Sequence, residues 1–233
     1  MGIKAILFDK DGTLLDFHAT WVPAYGAAAA SISDEAGRPE LAERLLIIGG
    51  FDPLSGRCDP GSALGSGTNA DIARLWAPAC GLEDAAAVEA RLGSIFATEV
   101  PASAVAVGDL APLFARLVAR GLRLGVATMD SEALARNTVS SLALETHVDF
   151  VCGYDSGFGT KPGPGMVAAF CAHLSLAPSE VLVVGDTLHD LHMGRAAGAG
   201  LVVGVLTGAG SRELLAPHCD HVLESVLALE SII

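Results

Sequence analysis

The strongest constraint in this chain is a set of short runs that have no polar face. Residues 3–8, 122–128, 150–153, 181–185 and 201–206 are dense in Val, Ile, Leu, Ala and Gly. A strand that is apolar on both sides has to be covered on both sides, which is the situation of a parallel sheet packed between helices. From about residue 105 onward helical patterns separate the runs, over residues 110–120, 166–174 and 191–197. Gly121 stands where a helix C-terminal glycine belongs, and Asp130 or Ser131 is placed to cap the helix after the second run. Strands alternating with helices imply βαβ units, so the expected fold is α/β with a Rossmann-like parallel sheet.

Residues 16–98 break the alternation. They read as helices near 21–35, 39–47, 69–79 and 84–98, with Thr68 and Asp71 forming a capping box for the third and the glycine-rich residues 49–67 forming a long loop. The expected organisation is a discontinuous core, residues 1–15 and 99–233, interrupted after its first strand by an all-helical insert, residues 16–98.

Composition removes several classes of function. The chain of 233 residues is 51% hydrophobic, but its least polar stretch, residues 196–211, is broken by glycines at 198, 200, 204, 208 and 210 and suits no membrane span. Lys4, Asp9, Lys10 and Asp11 leave no apolar signal segment at the amino terminus, so a cytoplasmic location is expected. A net charge of -13 without any lysine or arginine run argues against nucleic acid and against an anionic membrane as partner. The five cysteines are odd in number, scattered, and never in a CxxC pair, so buried reduced thiols are expected rather than disulfides or a zinc site.

Polar residues stand at the ends of the apolar runs. Asp9 and Asp11 follow the first, two residues apart, so both carboxylates point the same way in extended geometry. Gly12 lets the chain turn away. Thr128 ends the second run, Lys161 follows the third after a short loop, and Asp186 ends the fourth with Asp190 four residues on. Ligands of open parallel sheets bind at the carboxyl ends of the strands, where all of these fall.

These stretches resemble the motifs of the haloacid dehalogenase-like hydrolase superfamily. The resemblance lies in Phe8-Asp9-Lys10-Asp11-Gly12-Thr13-Leu14, Val126-Ala127-Thr128, Lys161-Pro162-Gly163-Pro164 and Val184-Gly185-Asp186-Thr187-Leu188-His189-Asp190, continuing into Arg195-Ala196-Ala197-Gly198-Ala199-Gly200. It covers the α/β core almost end to end. The helical insert is similar to the cap of that superfamily, and the whole most resembles its phosphoglycolate-phosphatase-like branch. Lys10 departs from the pattern, which more often has an apolar residue there, and Thr128 is followed by Met-Asp instead of the usual Asn or Ser.

The resemblance implies hydrolysis of a small phosphorylated metabolite, phosphoglycolate or similar, through an aspartyl-phosphate on Asp9. A carboxylate approaching a phosphate meets repulsion of about 4 kcal/mol per charge pair at 4 Å and an effective dielectric near 20. Mg2+ held by Asp9, Asp186 and the Asp11 backbone carbonyl would offset it, with Lys161 as a second positive charge. Asp190 either joins the metal's surroundings or orients Lys161. The Thr128 hydroxyl and the Met129 backbone N–H would hold phosphoryl oxygens. Asp11 would protonate the leaving alkoxide and then activate water; the superfamily's dehalogenases lack this second aspartate. Two rivals share the motifs: a phosphotransferase such as a sugar phosphomutase, and a non-catalytic binder of a phosphorylated ligand. Arg57, in the insert's long loop, is a candidate partner for a substrate carboxylate. His189 and His192 read as helix-surface residues, and Trp21 and Trp76 as core of the insert.

Overall fold

The computed structural model of the chain describes residues 2–233. Strand β1 (Ala5–Phe8) leads into α1 (Phe17–Glu35), α2 (Ala42–Gly49), the short strands β2 (Phe51–Asp52) and β3 (Arg57–Cys58), α3 (Ala63–Ser66), α4 (Asn69–Cys80) and α5 (Ala85–Ser103). The chain then runs through α6 (Leu110–Ala119), β4 (Arg123–Ala127), α7 (Glu132–Ser141), β5 (Phe150–Cys152), α8 (Gly165–Leu174), β6 (Val181–Gly185), α9 (Leu188–Ala197), β7 (Leu201–Val205), α10 (Arg212–Leu215) and β8 (His221–Leu223). It divides into two compact units, residues 1–16 with 106–233, and residues 17–105. The second division falls at 105/106 and not at 98/99, because α5 continues to Ser103.

The first unit holds a six-stranded, all-parallel sheet in the order β5-β4-β1-β6-β7-β8. Alternation along β1 supplies both faces. Ile6 and Phe8 join Leu124, Val126, Leu182 and Val184 against Phe114 and Leu117 of α6, while Ala5 and Leu7 join Val181 and Val183 against Met166, Val167 and Phe170 of α8. The fold is therefore the Rossmann-like α/β arrangement expected from two-sided apolar strands. From β1 the chain moves outward to β4 and β5, then returns across β1 to begin β6. The strand order thus reverses between β1 and β6, the switch point at which open α/β sheets bind ligands. Asp9 and Asp186 stand directly beyond the ends of those two strands.

Helices dominate the second unit. Helix α5 packs against α1 and α4, burying Leu92 and Phe96 together with Ile32 and Trp76. Trp21, Tyr25 and Phe96 form an edge-on aromatic cluster. The Thr68 hydroxyl accepts from the Asp71 N–H at 3.2 Å while the Asp71 carboxylate accepts from the Thr68 N–H at 2.8 Å, the reciprocal capping box. Residues 49–67 are not a plain loop: β2 and β3 form a two-residue antiparallel ladder and α3 follows. All five cysteines are free thiols, and burial pushes the Cys58 and Cys152 thiols up to about 11 and about 12. No helix among the described residues is long and apolar enough to cross a membrane.

Phe8 and Phe114 stack with ring centroids 4.9 Å apart, fully buried, one residue before Asp9. Phe114→Ala is expected to lower unfolding free energy by roughly 3–5 kcal/mol in urea titration, the cost of emptying a rigid aromatic site.

Candidate active site

The sheet fixes the site through its register. Phe8 pairs with Val126 on one side and Val184 on the other, so the residues that follow each strand emerge at one edge. The Asp9 N–H donates to the Val184 carbonyl at 2.9 Å, extending β1 by one bond and setting the direction of the Asp9 side chain. Thr128 continues β4, its N–H donating to the Cys152 carbonyl at 3.1 Å and its hydroxyl oxygen accepting from the Asp130 N–H at 3.1 Å.

Lys161 lies at the centre of the cluster. Its Nζ donates to Asp9 Oδ1 and to Asp190 Oδ1, both at 2.6 Å, with all three side chains buried. Asp190 is held in turn on its other oxygen, which accepts from the Thr187 N–H at 3.1 Å and the Thr187 hydroxyl at 2.6 Å. Asp190 thus begins α9 as the partner of a capping box and reaches Lys161 at the same time. Asp9, Asp186 and Asp190 each offer a carboxylate oxygen within 4.8 Å of the others.

Asp186 sits against glycine backbone. Its Oδ2 accepts from the Ala209 N–H at 2.9 Å, and a Cβ on Gly12 or Gly208 would overlap its carboxylate. Gly12 also adopts φ +84, which a side chain disfavours. The Thr207 hydroxyl closes the corner by donating to the Gly12 carbonyl at 2.6 Å. The turn at residues 207–210 therefore belongs to the site. Its sequence signal is the run Thr207-Gly208-Ala209-Gly210 immediately after an apolar strand, which reads on its face as an ordinary turn.

A second lysine is equally hidden. Lys10 is 1% exposed, with Nζ 2.6 Å from Asp11 Oδ2 and 3.2 Å from Asp130 Oδ2. Five carboxylates (Asp9, Asp11, Asp130, Asp186, Asp190) thus share two ammonium groups. The deficit is felt most where water is excluded. Burial pushes Asp9 up to about 7 against the pull of Lys161, with Asp190 and Asp11 adding to the rise. Burial, then the charges of Asp9 and Asp190, lifts Asp186 well above the ordinary carboxylate value. Lys161 is buried too, but Asp190 and Asp9 raise it above a normal lysine and keep it charged.

Three further observations bear on a metal ion. Asp186 Oδ1 is buried without a hydrogen-bond partner. The donors are all oxygens, which suit a hard divalent cation. Around Lys161 alone, three carboxylates (Asp9, Asp186, Asp190) face one ammonium group, an excess of the sign and size that such a cation neutralises. The residues present therefore fit a magnesium-type site.

Met129 is exposed beyond Thr128. Arg57 is exposed on β3, in the helical unit. His189 is exposed, but His192 is not a solvated surface residue: its Nε2 lies 3.0 Å from His218 Nδ1, and it is half-buried. The Asp71 carboxylate occupies the amino terminus of α4; Gly65 and Ser66 end α3, Gly67 caps that end, and Thr68 is the N-cap of α4.

The raised carboxylates have a consequence for stability. A group whose folded value lies above its unfolded one stabilises the fold at low pH, and that contribution is lost as pH rises towards the folded value. Chelated protein is expected to lose about a few degrees of melting temperature per pH unit between about pH 5 and about pH 7. Added magnesium should restore it near pH 8 and do little near pH 5. A flat or rising melting temperature in EDTA over that range contradicts the charge deficit.

Comparison with known proteins agrees with this geometry. Residues 3–198 match the haloacid dehalogenase-like hydrolases. A phosphoglycolate phosphatase of Rhodospirillum rubrum is 31% identical over 204 residues, covering 86% of this chain and 78% of that one. An N-acetylmuramic acid 6-phosphate phosphatase of Pseudomonas putida is 26% identical over 198 residues, covering 85% and 81%. The crystal structure of a predicted phosphoglycolate phosphatase from Haemophilus somnus superposes with a TM-score of 0.77 at 17% identity, covering 99% of this chain and 97% of that one. With four strand-end motifs in order, a buried acidic cluster at the β1/β6 switch point and a family match across most of its length, the chain belongs to the haloacid dehalogenase-like hydrolases, in their phosphoglycolate-phosphatase-like branch.

Proposed function

We propose that the protein is a magnesium-dependent phosphatase that hydrolyses a small phosphomonoester, phosphoglycolate or a close analogue, through an aspartyl-phosphate on Asp9. The observation that carries this reading is the Lys161 ammonium held between Asp9 and Asp190 beside the unpartnered oxygen of Asp186. That arrangement keeps a carboxylate buried, aimed and flanked by fixed positive charge, which is what a nucleophile for an anionic phosphorus centre requires.

Asp9, Asp186 and the Asp11 backbone carbonyl would hold the magnesium ion. Its chemistry is to neutralise phosphoryl oxygens and so remove the repulsion between them and Asp9. Asp190 has one oxygen on Lys161 and the other on Thr187, so its role is to orient Lys161. Lys161 and the Thr128 hydroxyl, with the Met129 N–H, bind the remaining phosphoryl oxygens. A carboxylate oxygen of Asp9 attacks phosphorus, the bond from phosphorus to the ester oxygen breaks, and Asp11 donates its proton to the departing oxygen. Asp11, now a carboxylate, takes a proton from the water that attacks the phosphoaspartate, releasing phosphate and restoring Asp9. The helical unit is assigned to substrate selection, with exposed Arg57 as the candidate partner of a substrate carboxylate. The curated relatives are named for phosphomonoester substrates of different size, which supports the reaction class more than any single substrate.

Phosphate release from a panel of small phosphomonoesters, with magnesium, tests the reading. Wild type is expected to turn over at least one ester well. Asp9→Asn is expected to be silent, Asp11→Asn to lose roughly 10²–10⁴-fold, and EDTA to abolish release. Equal inactivity of wild type and Asp9→Asn across the panel contradicts it.

A further inference from the structure

As the proposed proton donor, Asp11 works only if its carboxyl group is held in one orientation. We infer that Lys10, anchored by Asp130, is a positioning residue that fixes the Asp11 carboxyl group for proton transfer. This inference rests on the phosphatase reading and names a part of its machinery.

Lys10 is 1% exposed, and its Nζ faces two carboxylates. Its Nζ lies 2.6 Å from Asp11 Oδ2 and 3.2 Å from Asp130 Oδ2, so one ammonium joins the turn after β1 to the turn after β4. The far end of this link is itself rigid. The Asp130 N–H donates to the Thr128 hydroxyl oxygen at 3.1 Å, Asp130 Oδ1 accepts from the Ser131 N–H at 2.9 Å, and the Asp130 carbonyl accepts from the Tyr154 N–H at 3.0 Å. The Asp11 carboxyl group is therefore referenced through Lys10 to Thr128, the residue assigned to the phosphoryl group.

A buried ion pair seldom stabilises a fold more than apolar residues of the same shape. An ammonium kept at a position that burial alone would fill with an apolar side chain is better explained by what it aims. Without its charge the tie between Asp11 and Asp130 is lost, and the Asp11 carboxyl group leaves the orientation that tie sets. The loss should fall on the step in which the leaving oxygen needs a proton. An alkyl ester needs one, because its alkoxide is strongly basic; p-nitrophenyl phosphate does not, because its phenolate leaves unaided.

The test compares kcat/KM, which reports the path up to leaving-group departure, for an alkyl phosphomonoester and for p-nitrophenyl phosphate, with magnesium. Lys10→Met is expected to lose roughly 10–100-fold on the alkyl ester, part of the whole general-acid effect, and about threefold or less on the aryl ester. Lys10→Met/Asp130→Asn, which leaves neither half of the link charged, should show the same selective loss and serves if the single variant does not fold. Equal losses on both esters, or none on either, overturn the inference while leaving the phosphatase reading intact. A wild type no more active than Asp9→Asn on both esters overturns that reading, and this inference with it.

Discussion

A lysine buried between two aspartates organises everything else at this site. Lys161 holds Asp9 and Asp190 at 2.6 Å each, so three charged side chains from three segments of the sequence share one water-poor space. Removing Lys161 would leave two buried carboxylates without their counter-charge, which is severely costly. The arrangement is still short of positive charge, since Asp186 lies in the same cluster with one oxygen buried and unpartnered. The lysine fixes the Asp9 carboxylate, and the remaining deficit suits a divalent cation.

The sheet makes that concentration of charge possible. Parallel strands covered on both faces deliver their carboxyl ends to one edge, and the reversal of strand order between β1 and β6 opens a crevice there. Apolar packing on both sides, from Phe114 and Leu117 on one and from Phe170 and Met166 on the other, supplies the stability that the acidic cluster costs. Glycines at 12 and 208 then let backbone close on Asp186 where any side chain would collide.

What could be read from sequence follows the same physics. The strands and most helices were legible because two-sided apolar runs and 3.6-residue patterns are strong local signals, and the strand-end residues Asp9, Thr128, Lys161 and Asp186 followed from them. Asp190 was visible as a residue, but only the structure gives its two oxygens to Lys161 and Thr187. The Lys10–Asp130 link was not legible, because it depends on the register of β1 against β4, more than a hundred residues apart in sequence. The turn at 207–210 was missed for a related reason: its function is to place an N–H on Asp186, and nothing local announces that. The β2–β3 ladder is two residues per strand, too short for any pattern, and β8 is no better marked.

In the proposed reaction Asp9 carries the phosphoryl group. This is tested most directly by quenching turnover with acid, reducing the protein with borohydride and mapping its peptides by mass spectrometry. Borohydride reduces an aspartyl-phosphate to homoserine, so homoserine is expected at residue 9 in protein quenched with substrate and magnesium, and unaltered aspartate without substrate. Turnover with an unmodified residue 9, or with the modification at another aspartate, would contradict it.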